Sequence, residues 1–120
     1  MYKRQGQNPP APGGAGNAGS YSPVEGYGGG TGSAYPHDGT AGGGGGSAGV
    51  GSDQVTSDGG GSGTANSITG SSVTYAAGGK VNTSPYDAPA NTGNGGNGLQ
   101  NSNAGGAGGS GIVIVRYQYQ

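Results

Sequence analysis

The chain has 120 residues, of which 34 are glycine and 7 are proline, and it contains no cysteine, tryptophan or phenylalanine. Its larger aliphatic side chains are seven valines, three isoleucines and one leucine, too few to offset the backbone entropy of ordering a whole domain around one hydrophobic core. A conventional globular core, a disulfide scaffold and a zinc ribbon are therefore excluded. The charged fraction of 8% and the net charge of −1 are also lower than in many expanded, disordered segments.

The first twelve residues differ in composition from the rest. They contain Lys3 and Arg4 and the proline-rich run Pro9–Pro12, which favours an extended polyproline II conformation. We expect residues 1–12 to form an arm that docks onto a larger assembly through Tyr2, Lys3 and Arg4. The alternative is a solvated terminus. No apolar segment follows the basic residues, so we expect no secretory signal.

From Gly13 onwards, glycines recur at intervals of three, in short series whose phase resets along the chain. The series are Gly13/16/19, Gly26/29/32, Gly39/42/45 overlapped by Gly43/46/49, then Gly60/63, Gly93/96 and Gly105/108/111. Three residues per turn is the period of an extended helix without internal hydrogen bonds, whose N–H and C=O groups point outwards. We therefore predict short polyglycine-II-like rods that lie side by side and bond laterally. Residues 13–120 are expected to form one such module.

Two segments have the alternation of β-strands, whereas no segment has helical apolar spacing. The predicted strands are residues 67–76 and 111–119, in a fold that is otherwise irregular, mostly all-β and free of α-helix. In the second segment Ile112–Val115 is apolar on both faces. It is therefore predicted to be a buried strand that anchors the fold and takes part in assembly through Ile112, Val113, Ile114 and Val115.

The sequence offers little to catalysis or to metal binding. His37 is the only histidine, and the Pro36–Gly39 stretch around it is typical of a turn. The G-x-G-x-x-G matches are what 34 glycines produce by chance. Asp53 and Asp58 do not have the spacing of a calcium loop and are predicted to cap turns. We expect no enzyme activity, no metal and no cofactor.

Charge and hydropathy make some classes of partner unexpected. The four basic residues are scattered and form no patch, so nucleic acid is not an expected partner. The apolar run Ile112–Val115 is far too short for membrane insertion. Self-association is expected, because a chain with so small a core gains most from neighbours.

Four tyrosines are candidate receptor-binding residues, because each lies among Gly, Ser, Pro and Asn, as aromatic residues do in binding loops. These residues are Tyr21, Tyr27, Tyr35 and Tyr86. The alternative is that each ring lies over a glycine rod as apolar filler.

Two stretches carry a family resemblance: Ser67–Gly79, which reads SITGSSVTYAAGG, and Gly105–Tyr117, which reads GGAGGSGIVIVRY. Together with the Gly/Asn repeats at 93–98, they resemble the glycine-rich domain of bacteriophage tail-fibre and related virion surface proteins. The resemblance implies a virion surface module, made in the host cytoplasm, with polyglycine II rods and with loops that recognise a host surface glycan or an outer-membrane receptor.

We therefore expect a non-enzymatic phage structural protein. Its arm would dock on other virion proteins, and its loops around Tyr21–Tyr35 and Tyr86–Asn97 would face the host. Two alternatives remain open from the sequence: a decoration protein that stabilises the capsid or tail, and a polyglycine-II ice-binding protein.

Overall fold

The structure is a computed structural model, and it describes residues 9–33, 41–54, 58–82, 85–99 and 104–118. This described part contains no helix, as predicted, and its regular elements are very short strands. They are β1 (Thr64–Asn66), β2 (Val73–Tyr75), β3 (Val81–Asn82) and β4 (Gly98–Leu99). Most of the described chain is extended but belongs to no β-ladder.

The strands form two separate pairs. β1 and β2 are antiparallel, with Thr64 opposite Tyr75 and Asn66 opposite Val73. The turn between them is closed by a hydrogen bond from the Gly70 N–H to the Ser67 carbonyl, 2.9 Å long, and Gly70 has a φ of +97°, which favours glycine. β3 and β4 are parallel, with Val81 opposite Gly98.

The remaining extended segments, here called rods, are joined by main-chain hydrogen bonds that recur every third residue. Gly29 donates to Gly14 and Gly32 donates to Ala11, so the partner moves back by three as the donor advances by three. The same step separates the two bonds in each of five further pairs. Written as donor→acceptor, these pairs are Tyr27→Gly46 with Gly30→Gly43; Gly43→Ser52 with Gly46→Gly49; Gly44→Gly79 with Ser47→Ala76; Gly78→Gly61 with Val81→Asp58; and Gly106→Asn97 with Gly109→Asn94. A β-ladder repeats every two residues; a step of three is that of the polyglycine-II-like lattice that the glycine series predict.

The rod formed by residues 42–47 lies at the centre of this lattice. It bonds to the rods 26–32, 49–54, 58–62 and 76–81. Its sequence, Gly42–Gly46, is the run in which two glycine series overlap. A threefold rod surrounded on all sides needs glycine in all three registers, and an uninterrupted glycine run satisfies that requirement.

Main chain occupies the space that apolar side chains fill in a conventional core. Among the described residues, Val81 is the only buried hydrophobic side chain, at 3% exposure. The buried glycines are Gly43, Gly46, Gly51 and Gly61. A Cβ on Gly43 would collide with the carbonyl oxygen of Gly59, and a Cβ on Gly45 with that of Tyr27. Contact between bare backbones therefore holds the rods at bonding distance.

The predicted strands differ in position from those observed. Of residues 67–76, only 73–75 are in a strand, because residues 67–70 form the turn and the partner strand precedes them at Thr64–Asn66. The segment 111–119 contains no strand over its described part, 111–118.

The prediction that this last segment is a buried anchor is wrong. Val113 is 91% exposed, Val115 80% and Tyr117 80%. Ile112 and Ile114 line a shallow groove beside Ile68 and Tyr75, but Ile112 is still 47% exposed, so even this face of the segment is covered only in part. Because the interior is packed with glycine backbone, it leaves no space for large side chains, and they remain at the surface.

The first rod begins inside the predicted arm. Pro9–Pro12 is exposed, yet the Ala11 carbonyl accepts a hydrogen bond of 2.9 Å from Gly32. The residues expected to dock, Tyr2, Lys3 and Arg4, lie outside the described residues, and their role stays a prediction.

Replacing Gly45 with alanine should destabilise the protein strongly, whereas the same change at Gly14 should not. The new methyl group at residue 45 meets the Tyr27 carbonyl, which the lattice holds in place, so we expect a loss of about 3 kcal/mol or more. A Cβ on Gly14 has no atom within 4 Å, and removing a flexible glycine there should be neutral or stabilising by up to about 1 kcal/mol. Calorimetric unfolding of Gly45→Ala and Gly14→Ala measures the difference; equal stabilities would contradict a backbone-packed interior.

Candidate functional site

A cleft of about 420 Å³ lies beside Tyr86. We call it the Tyr86 cleft; its side chains include those of Asp58, Lys80, Tyr86, Asn94 and Asn97, and part of its wall is the main chain of residues 77–78. It thus brings together three rods and one loop that are distant in sequence. The aromatic ring, the charges and the amides are all of types that make non-covalent contacts with a polar ligand.

Tyr86 is held in place through its backbone while its ring stays accessible. The Tyr86 carbonyl accepts a hydrogen bond of 3.2 Å from the Asn97 N–H, and Ala88 donates to Ala107 at 2.9 Å. The neighbouring Asp87 accepts at its Oδ1 a hydrogen bond of 2.7 Å from the Ala107 N–H. The residue is 56% exposed, so a rigidly anchored ring is offered to solvent.

Asp58 and Lys80 place one negative and one positive group on the cleft wall. Lys80 Nζ lies 2.8 Å from Asp58 Oδ1, and their side chains are 74% (Asp58) and 55% (Lys80) exposed. The Asp58 carbonyl also accepts a main-chain bond from Val81, so the pair spans two rods bonded to one another. An ion pair this exposed contributes at most about 1 kcal/mol to stability, and both groups can still bind a ligand.

Asn94 forms the link between the cleft and the lattice beneath it. Its Oδ1 accepts a hydrogen bond of 2.9 Å from the Ala77 N–H, and its carbonyl accepts one of 2.8 Å from Gly109. Its own N–H donates to Thr92 Oγ1 at 3.2 Å. The amide therefore stands in for a missing carbonyl acceptor, a role that short polar side chains fill at turns.

A second hollow, of about 350 Å³, adjoins the first. The two share Ala77, Gly78 and Gly95 in their walls. This Tyr27 hollow also has Glu25, Tyr27 and Ser47 in its lining. Tyr27 is 40% exposed, and its N–H donates to the Gly46 carbonyl at 2.9 Å.

The four predicted tyrosines have different surroundings. Tyr27 and Tyr86 line the two adjoining hollows, as the binding interpretation requires. Tyr21 lines neither; its backbone closes a turn with Asn17, its ring lies where a Cβ of Gly19 would be, and it is 60% exposed. Tyr35 lies outside the described residues.

No local sequence pattern indicates the Asp58–Lys80 pair, because its members are separated by 22 positions. Asn94 and Asn97 do fall inside the loop region Tyr86–Asn97 that was expected to face a partner. Asp53, predicted to cap a turn, accepts a hydrogen bond of 2.6 Å at its Oδ1 from the Thr31 N–H of another rod. It thus bridges rods rather than closing a local turn.

The described residues contain no group of three or more His, Cys, Asp or Glu side chains that could hold a metal ion. His37 lies outside them. In the same part of the chain, no helix has the length and hydropathy to cross a membrane. The chemistry that this surface offers is stacking, hydrogen bonding and charge pairing.

A family model described as a glycine-rich domain matches residues 3–118. The chain therefore belongs to that glycine-rich domain family. Neither a curated protein nor a solved structure matches the chain.

Replacing Asn94 with leucine should destabilise the lattice beneath the Tyr86 cleft. The change keeps the number and branching of the side-chain heavy atoms but leaves the partly buried Ala77 N–H without its acceptor, which costs about 1–3 kcal/mol. Asn94→Asp retains an oxygen at that position and should lose clearly less. Thermal unfolding of both variants tests this; equal losses would show that the acceptor is not what Asn94 contributes.

Proposed function

We propose that this member of the glycine-rich domain family is a non-enzymatic bacteriophage virion surface protein, a tail-fibre-type module that attaches to host receptors. The observation that carries the proposal is the Tyr86 cleft, an accessible aromatic ring among charged and amide side chains on a backbone-bonded scaffold. The motif ITGSSVTYA and the ending GGSGIVIVRY support the phage assignment through their resemblance to tail-fibre domains.

The composition of the cleft favours a carbohydrate as the receptor group. A tyrosine ring can stack on the apolar face of a sugar while its hydroxyl remains wet. Asp58, Lys80 and the two asparagines supply acceptors and donors for sugar hydroxyls. We therefore place a host surface glycan ahead of an outer-membrane protein as the ligand.

The scaffold favours binding without rearrangement. Tyr86, Asp58 and Asn94 each have a main-chain group bonded to a neighbouring rod, so little order has to be gained when a ligand enters. Preorganisation of this kind raises affinity by lowering the entropic cost of binding. A shallow surface that combines an aromatic ring with charged and amide groups suits adhesion, and the proposal assigns it no reaction.

The proposed docking of the N-terminal arm implies where the protein lies on the phage particle. Tyr2, Lys3 and Arg4 would contact other virion proteins, and the module would then lie at the virion surface. Because the Ala11 carbonyl already accepts a hydrogen bond from Gly32, we expect the docking residues of the arm 1–12 to precede Ala11.

Purified protein should compete with phage particles for binding to host cells. The Tyr86→Ala variant should compete about tenfold less well, because loss of a central aromatic contact typically costs more than about 1 kcal/mol of binding free energy. Tyr21→Ala is the matched control, because Tyr21 is 60% exposed against 56% for Tyr86 and lines neither hollow. The readout is the concentration that halves adsorption. If both variants compete like the parent protein, the cleft is not the receptor site.

Antibodies against the protein separate attachment from the decoration alternative. Labelled particles whose adsorption is blocked support attachment. Labelled particles that adsorb normally indicate a decoration protein, and unlabelled particles would overturn the virion assignment.

Deleting residues 1–8 should reduce incorporation into particles at least tenfold while leaving the thermal unfolding of the module unchanged. Lattice contacts begin at Ala11, so the deletion removes the docking residues without removing a described rod contact. Quantitative immunoblotting of purified particles gives the readout. Normal incorporation of the shortened protein would contradict docking through Tyr2, Lys3 and Arg4.

A further inference from the structure

One segment of the described chain has an apolar face in solvent. In Ile112–Tyr117, here called the apolar edge, Val113, Val115 and Tyr117 point away from the module and are 91%, 80% and 80% exposed. The alternate residues Ile112 and Ile114 turn the other way, into the groove beside Ile68 and Tyr75. The Arg116 Nη1 also reaches the Ile68 carbonyl, 3.5 Å away.

The main chain of this edge is unpaired as well. Most other rods form main-chain hydrogen bonds with a neighbouring rod at about every third residue, but Ile112–Val115 makes no main-chain hydrogen bond to any described residue. An extended, apolar and unpaired segment is a template on which another extended segment can add as a strand.

The sequence of the edge is complementary to itself. Antiparallel pairing about a two-fold axis through Val115 places Val115 opposite its own copy and Val113 opposite Tyr117. Aromatic and β-branched side chains in such cross-strand pairs attract one another. Arg116 then faces Ile114 rather than a second arginine, so no like charges meet. The net charge of −1 adds almost no long-range repulsion between copies.

We propose that the apolar edge is a self-association surface, on which a second copy of this chain pairs antiparallel through residues 113–117 about an axis at Val115. The pairing bonds main-chain groups of both copies and sets Val113, Val115 and Tyr117 of one copy beside those of the other. It does not depend on the attachment function. A pair of five-residue strands is much smaller than an interface of about 800 Å² per partner, so the dimer should be weak and depend on concentration.

Analytical ultracentrifugation of the full chain over a wide concentration range tests the proposal. We expect a monomer–dimer equilibrium and a dissociation constant at least tenfold higher for Val115→Lys, which sets two ammonium groups opposite each other at the axis. Val50→Lys is the matched control, because Val50 is also an exposed valine, at 65%, outside the edge. A chain that stays monomeric up to about 1 mM, or a Val115→Lys variant that dimerises like the parent, would overturn the proposal.

Cross-linking tests the register separately. The chain has no cysteine, so Val115→Cys introduces a single thiol, and opposed residues in an antiparallel pair lie within disulfide reach. We expect Val115→Cys to form covalent dimers under mild oxidation at least tenfold faster than Val50→Cys. Equal rates would mean random collision and would overturn pairing about Val115.

Discussion

The structure depends on one interaction, the lateral hydrogen bond between rods that repeats every third residue. An isolated rod of this type has no internal hydrogen bonds, so each N–H and C=O must find a partner on another rod or in water. Pairs such as Gly29→Gly14 and Gly32→Ala11 supply these partners only if two backbones approach closely. Glycine permits that approach, and the 34 glycines are therefore the packing material of the interior.

This arrangement determines where side chains can be. With Gly43, Gly46, Gly51 and Gly61 buried, the interior accepts few side chains other than that of Val81, and most of the described tyrosines and valines are exposed. The side chains that can contact a ligand therefore lie at the turns between rods and along the outermost rods. The Tyr86 cleft follows from this rule, since its groups come from the ends of rods while the lattice below them supplies rigidity.

The lattice is predictable from the sequence to a greater extent than the site. Glycine spacing indicates the threefold period, and the run Gly42–Gly46 marks the central rod, because both are local patterns. The Asp58–Lys80 pair depends on which rods are neighbours, which no local pattern reveals. The alternation in Ile112–Tyr117 predicts an extended segment. Its apolar character does not predict burial, because burial depends on whether the interior has space for large side chains.

A lattice of this kind has no inherent boundary, because its outermost rod carries the same free groups as any inner one. Side-chain oxygens provide one way to end it: Asp53 accepts from Thr31, Asp87 from Ala107 and Asn94 from Ala77, each replacing a carbonyl that another rod would have supplied. The segment Ile112–Val115 has no such acceptor and presents apolar side chains instead. A margin that is neither capped by polar side chains nor covered by the module gains most by pairing with an identical margin, which satisfies main-chain groups on both sides and brings the apolar side chains of the two copies into lateral contact.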